Sequence, residues 1–163
     1  MKFSLPPHRT LVLLLALASA LMLGAALASQ HQGGLHPCAL CLWQRWPHGV
    51  VAVLGALSLW LGQSAPHRKT LILMGLVLLA GAGIALFHVG VEQHWWAGTA
   101  SCGGGLAKSV SLEELVNRIR TAPMVRCDTV AWSLFGISMA GYNGLISLLL
   151  GLVALTGAWK GKA

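Results

Sequence analysis

The chain has 163 residues, 56% of them hydrophobic and 9% charged, with a mean hydropathy of +0.71 and a formal net charge of +7. A soluble domain carries about 25% charged residues; here too little polar surface exists to cover a water-exposed core, and the apolar surplus calls for lipid as solvent. The basic excess does not indicate nucleic acid, because the eleven Lys and Arg residues are scattered around apolar runs and form no dense stripe with interleaved aromatics.

Four apolar runs follow in chain order: Leu11 to Ala28, about Trp46 to Gly62, Thr70 to about Val91, and about Trp132 to Trp159. Each approaches the roughly 20 residues that cross a hydrocarbon core as a helix. Their continuity, without period-two alternation, favours helices over a barrel. The expected architecture is a single all-α membrane domain, residues 1–163, built as a four-transmembrane-helix bundle with spans at 11–28, 46–62, 70–91 and 132–159. Lys2, Arg9 and the Ala26-Leu27-Ala28 triplet before Ser29 also resemble a signal peptide. Its apolar core exceeds the usual length of about 7–15 residues, and cleavage would leave an odd number of spans, so the run is read as a span.

Charge orients the bundle. With both termini cytoplasmic, the inner segments hold Lys2, Arg9, Arg68, Lys69, Lys160 and Lys162 and no acid, whereas Glu92, Glu113, Glu114 and Asp128 all fall outside. The outer basic residues, Arg45, Lys108, Arg118, Arg120 and Arg126, lie mostly in a long loop, where the positive-inside bias counts least. Trp46, Trp60, Trp95, Trp96, Trp132 and Trp159 sit near span ends, as an aromatic belt requires.

This topology places everything reactive outside. The first outer loop, residues 29–45, carries Cys38-Ala39-Leu40-Cys41, and the second, residues 92–131, carries Cys102 and Cys127. An even cysteine count in an oxidising compartment favours disulfides. Of three connectivities, nearness in sequence favours Cys38 with Cys41 and Cys102 with Cys127. A thiolate just before the second span would feel the positive end of the helix dipole, and Arg45, four residues after Cys41, would share its face if the helix has begun. A C-type haem site is excluded because Leu42, not His, follows Cys41. A four-cysteine zinc site is disfavoured by the wide spacing of the second pair, and no metal is expected.

In the second loop, Cys102 opens a flexible Gly103-Gly104-Gly105 stretch, and Ser111 to Glu114 reads as a capping box. Leu112, Leu115, Val116 and Ile119 follow at helical spacing until Pro123, which predicts a short amphipathic helix lying on the membrane surface.

The segment Pro37-Cys38-Ala39-Leu40-Cys41-Leu42-Trp43-Gln44-Arg45, with four spans and a second cysteine pair, resembles the DsbB family of bacterial disulfide-generating quinone reductases. The resemblance implies a thiol:quinone oxidoreductase of the inner membrane with its active sites facing the periplasm. It would oxidise a DsbA-like thioredoxin-fold partner and pass the electrons to a ubiquinone-type or menaquinone acceptor, and it is expected as a monomer. By the same resemblance Cys102 forms the mixed disulfide with the partner, Cys127 exchanges with Cys38, and Cys41 is the thiolate facing quinone. Arg45 gives that thiolate electrostatic support, and His94 is matched to the family's quinone-proximal histidine. His88, deeper in the third span, asks for a partner of its own and has no assigned role. The alternative function is a structural or assembly membrane protein whose two disulfides brace its outer loops.

Overall fold

The computed structural model describes residues 6–102 and 125–160. Over these it holds five α-helices: α1 (His8–His31), α2 (Ala39–Trp43), α3 (Arg45–Trp60), α4 (His67–Glu92) and α5 (Met139–Lys160). Single 3-10 turns occupy Gly62–Ser64 and Ala100–Cys102. A two-stranded antiparallel hairpin, β1 (Ser133–Leu134) and β2 (Ile137–Ser138), precedes α5, pairing Ser133 with Ser138 and Leu134 with Ile137. The amphipathic helix expected near Ser111 to Pro123 lies outside the described residues.

α1, α4 and α5, with 24, 26 and 22 residues, are long and apolar enough to cross a membrane. α3 has 16 residues, about 24 Å at 1.5 Å per residue, against a hydrocarbon core of about 30 Å. It begins one residue before the expected span and carries Pro47 in its first turn, where a missing N–H leaves no hydrogen bond broken. It ends before Gly62, whose φ is +60°.

Two sequence expectations need correction. The fourth span begins at Met139 rather than Trp132, because Phe135 (φ +49°) and Gly136 (φ +78°) close a tight hairpin turn that removes 133–138 from the helix. The apolar character of Leu134, Phe135 and Ile137 hid that turn. The first outer loop is also shorter than 29–45, since α1 runs on to His31 and α2 occupies Ala39–Trp43.

Side-chain bonds tie the helix ends together and fix an up-down-up-down order. At one end Arg45 at the start of α3 reaches Gln30 and the Ala26 carbonyl of α1, and Ser138 before α5 donates to Glu92 at the end of α4. At the other, Ser58 of α3 pairs with His67 of α4, and Arg68 donates to the Ala158 carbonyl of α5 while its guanidinium lies 5.2 Å from the Trp159 ring centre.

The buried core between them comprises Leu11, Val12 and Leu15 of α1, Val51 of α3, Leu71, Met74 and Leu78 of α4, and Ala154 and Ala158 of α5. Small residues let the backbones approach: a Cβ on Gly55 of α3 would lie 2.4 Å from the Ala16 Cβ of α1. The outward faces are leucine-rich, with Leu21, Leu86 and Leu149 all exposed, which suits lipid and not water.

Candidate functional site

The CxxC pair is built by the short helix α2. Cys38 has extended backbone (φ −73°, ψ 172°) and caps the helix, its sulfur accepting the Cys41 backbone N–H at 3.2 Å. Both thiols are free, Cys38 buried and Cys41 half-buried. Cys102 and Cys127 are joined as a disulfide, with Cα atoms 5.1 Å apart. Cys38, Cys102 and Cys127 belong to one buried apolar cluster with Leu40 and Val91. The fold thus brings both cysteine pairs to the same end of the bundle.

Within the pair the proton is unevenly held. The Cys38 thiol is pushed down to about 4, chiefly by a hydrogen bond from the Cys41 thiol, against burial, and with further help from His88 and the Cys41 backbone N–H. Cys41 is pushed up, by holding that shared proton, by burial and by the nearby Cys38 charge. In the dithiol state the stabilised thiolate is therefore Cys38, whereas the resemblance assigns that charge to Cys41.

A cavity of about 410 Å³ opens beside the pair. Met22, Leu23 and Ala26 of α1 and Ile146 of α5 supply apolar wall; Cys38, Cys41, Arg45, His88 and Glu92 are its chemical side. Arg45 lines it as expected, held by Gln30 Oε1 at 2.8 Å. His94 does not. It is exposed, in a left-handed turn after α4 (φ +60°), and lines a separate depression with Cys102 and Asp128.

The histidine at the CxxC is His88, the ionisable group that the sequence places inside a span with no assigned role. Its Nε2 lies 3.5 Å from Cys38 Sγ and 3.9 Å from Glu92 Oε1, and its Nδ1 lies 2.7 Å from Gln44 Nε2. One signal could have found it: His88 and Glu92 are four residues apart, so a helix places both on one face. Gln44 and Glu92 were missed as site residues because an amide and a carboxylate near a span end have many other uses. Sulfur and nitrogen atoms of Cys38, Cys41 and His88 lie within 4.8 Å of one another, the one such convergence of possible metal ligands among the described residues.

A helical membrane protein that gathers two cysteine pairs, a buried histidine and an arginine around a cavity at one end of its bundle has the layout of a disulfide-forming membrane oxidoreductase. The chain belongs to the DsbB family: residues 8–157 match the family described as "Disulfide bond formation protein DsbB". Its relatives include "Disulfide bond formation protein B" of Polaromonas naphthalenivorans, 31% identical over 91% of this chain and 89% of that protein. The protein of the same name from Albidiferax ferrireducens is 30% identical over 93% and 88% of the two chains, and that from Methylococcus capsulatus is 30% identical over 98% and 99%. No solved structure is significantly similar to the chain.

Proposed function

We propose that the protein is a thiol:quinone oxidoreductase of the bacterial inner membrane, oxidising a periplasmic DsbA-like dithiol through Cys102–Cys127 and then Cys38–Cys41. The observation that carries this reading is the cavity, which is bounded by apolar α1 and α5 side chains on one flank and by Cys41, Arg45 and His88 on the other. Its volume, about 410 Å³, lies in the range of small-molecule sites. An apolar ring with polar carbonyl edges fits those walls, so Arg45 is the residue that would hold a quinone by an oxygen, with Cys41 alongside. A quinone bound there supplies a lipid-soluble acceptor for two electrons and two protons.

The chain's own residues do the rest. A partner dithiol reduces Cys102–Cys127, and the freed Cys127 thiolate attacks Cys38 of an oxidised Cys38–Cys41 pair, breaking that bond and releasing Cys41 as thiolate on the cavity wall. Arg45 balances its charge without titrating. The partner's second thiol then displaces Cys102 and leaves with its own disulfide formed, Cys102 attacks Cys127 to restore Cys102–Cys127 and release Cys38, and the Cys38–Cys41 dithiol closes again as it gives up two electrons and two protons to the acceptor. His88 donates its N–H toward the Cys38 sulfur and holds that sulfur ready to be the leaving or attacking group. The small buried cluster of Cys38, Cys102 and Cys127 supports direct exchange between pairs. In this reading α3 is a short fourth span and all four cysteines face the periplasm.

The test is steady-state oxidation of a reduced thioredoxin-fold dithiol by the purified protein in detergent with a quinone analogue, followed at the quinone absorbance. Replacing any one of Cys38, Cys41, Cys102 or Cys127 by Ser is expected to abolish turnover. A single variant with wild-type turnover would remove that cysteine from the relay.

A further inference from the structure

His88 and three polar side chains behind it, from three helices and the α2–α3 junction in all, meet in series. His48 Nε2 of α3 lies 2.9 Å from Asn143 Oδ1 of α5, and Asn143 Nδ2 donates to Gln44 Oε1 at 2.7 Å. Gln44 Nε2 in turn lies 2.7 Å from His88 Nδ1 of α4, and His88 Nε2 faces Cys38 Sγ at 3.5 Å. Gln44, His48 and His88 are all buried.

Each amide has one donor end and one acceptor end, so the chain can run in only two directions. Both termini select the same one. At the far end, His48 Nδ1 is buried with no hydrogen-bond partner among the described residues. A proton there would be an orphan donor, so the proton belongs on Nε2, which donates to Asn143 Oδ1. At the near end, His88 Nε2 faces a sulfur that favours the thiolate and, at 3.9 Å, the Glu92 carboxylate. Two acceptors require an N–H between them, and a lone pair there would meet only negative charge. With His48 donating at one end and His88 donating at the other, every bond between them points the same way.

We propose that His48, Asn143 and Gln44 are positioning residues whose one-way hydrogen-bond chain holds His88 in the Nε2–H tautomer, aiming its N–H at Cys38. The same chain keeps Nε2 from serving as a lone-pair ligand, so the convergence of Cys38, Cys41 and His88 is set for sulfur chemistry and against capture of a soft metal ion. The proposal rests on Cys38 and Cys41 being the reacting pair. It is tested without quinone or partner, so either reading can fail alone.

Nitrogen-15 NMR of the histidine-labelled, reduced full-length protein in nanodiscs reads the tautomer directly, with the His88 signal assigned by its loss in His88→Gln. The expected result in the unaltered protein is a protonated Nε2 and an unprotonated Nδ1. A protonated Nδ1 on a neutral ring overturns the proposal with no variant needed. Asn143→Asp is the second arm, because it keeps the shape and the acceptor for His48 but cannot donate to Gln44. Gln44 must then turn its amide, present Oε1 to His88, and move the proton to Nδ1.

Loss of the Nε2 donor is expected to move the pH profile of Cys38 alkylation, read by mass spectrometry, up by about one unit, which slows labelling about tenfold on the acid side of the original midpoint. The carboxylate that Asn143→Asp adds to the cavity wall acts on Cys38 in the same direction, so the nitrogen-15 signal decides the tautomer; the other groups around Cys38 are unchanged, namely the Cys41 thiol and backbone N–H from α2 and Glu92 from α4, with Arg45 and Arg126 on the same cavity wall. An Asn143→Asp protein whose His88 keeps the Nε2 proton, or whose Cys38 profile does not move, sinks the positioning role.

Discussion

His88 sits 3.5 Å from the Cys38 sulfur, and the Cys41 backbone N–H reaches the same sulfur at 3.2 Å. Two N–H donors and the Cys41 thiol converge on one buried atom, and each favours its charged form. A thiolate is the species that alkylates, so a lowered value keeps Cys38 reactive below the ordinary thiol range near 8.5, until the pH falls through its own value. Alkylation of the reduced protein by iodoacetamide is therefore expected to label Cys38 well before Cys41 at pH 6. Equal rates would show that the proton is shared evenly. His88→Leu removes one charge-assisted bond, worth about 1.5–3 kcal/mol, and should move the Cys38 profile upward by about one to two pH units. In the proposed relay Arg45 would act at the opposite moment, when Cys38 is engaged with Cys127 and Cys41 carries the charge. Arg45→Met is expected to weaken quinone use about tenfold while leaving stopped-flow exchange between the partner and Cys102–Cys127 at its normal rate. Lys at the same position should restore part of the loss, since it keeps the charge without the planar fork. Normal quinone kinetics in Arg45→Met would reduce Arg45 to a tether between α3 and Gln30 of α1.

Among the helices, α3 is the one whose placement decides the site, because it carries Arg45 and His48 and follows directly on α2. Its position against α1 depends on Gly55, which leaves room for Ala16 and nothing more. Gly55→Ala would force the two helices apart, and overpacking of this kind costs about 1–3 kcal/mol. Thermal unfolding in detergent should show that loss together with a weakened Arg45–Gln30 contact, seen as reduced quinone affinity. A variant as stable as the parent would mean that α1 and α3 part without strain. The hairpin before α5 has a related role, because Ser138 donates to Glu92 and to that extent fixes the end of α4 where His88 resides. A run of apolar residues gives no hint of such a turn: Phe135 occupies a left-handed position that Asn or Gly normally takes, so the local signal for a hairpin is missing.

For the molecule as a whole, bringing both cysteine pairs to one end of an up-down-up-down bundle makes a topological prediction. Membrane-impermeant maleimide applied to intact spheroplasts after mild reduction is expected to label all four cysteines, and labelling only after permeabilisation would invert the orientation. The sequence by itself determined the solvent, the family and where in the chain the two cysteine pairs lie. Twenty-residue apolar runs with few charges have no alternative to lipid, and a CxxC beside a span with a distant second pair marks thiol–disulfide chemistry from spacing alone. Helix limits were legible to within a few residues where Pro66 and Gly62 punctuate the chain, and misplaced at 132–138 where nothing polar does. Only the tertiary structure decided which histidine lies against the CxxC pair. His94 is nearer the outer loops in sequence but turns to the Cys102 side, whereas His88 faces Cys38 across 50 residues of chain. That choice, like the series His48–Asn143–Gln44–His88, is made by how α3, α4 and α5 rotate to bury their cores. Rotation is a property of packing between helices, and no local pattern encodes which faces will meet.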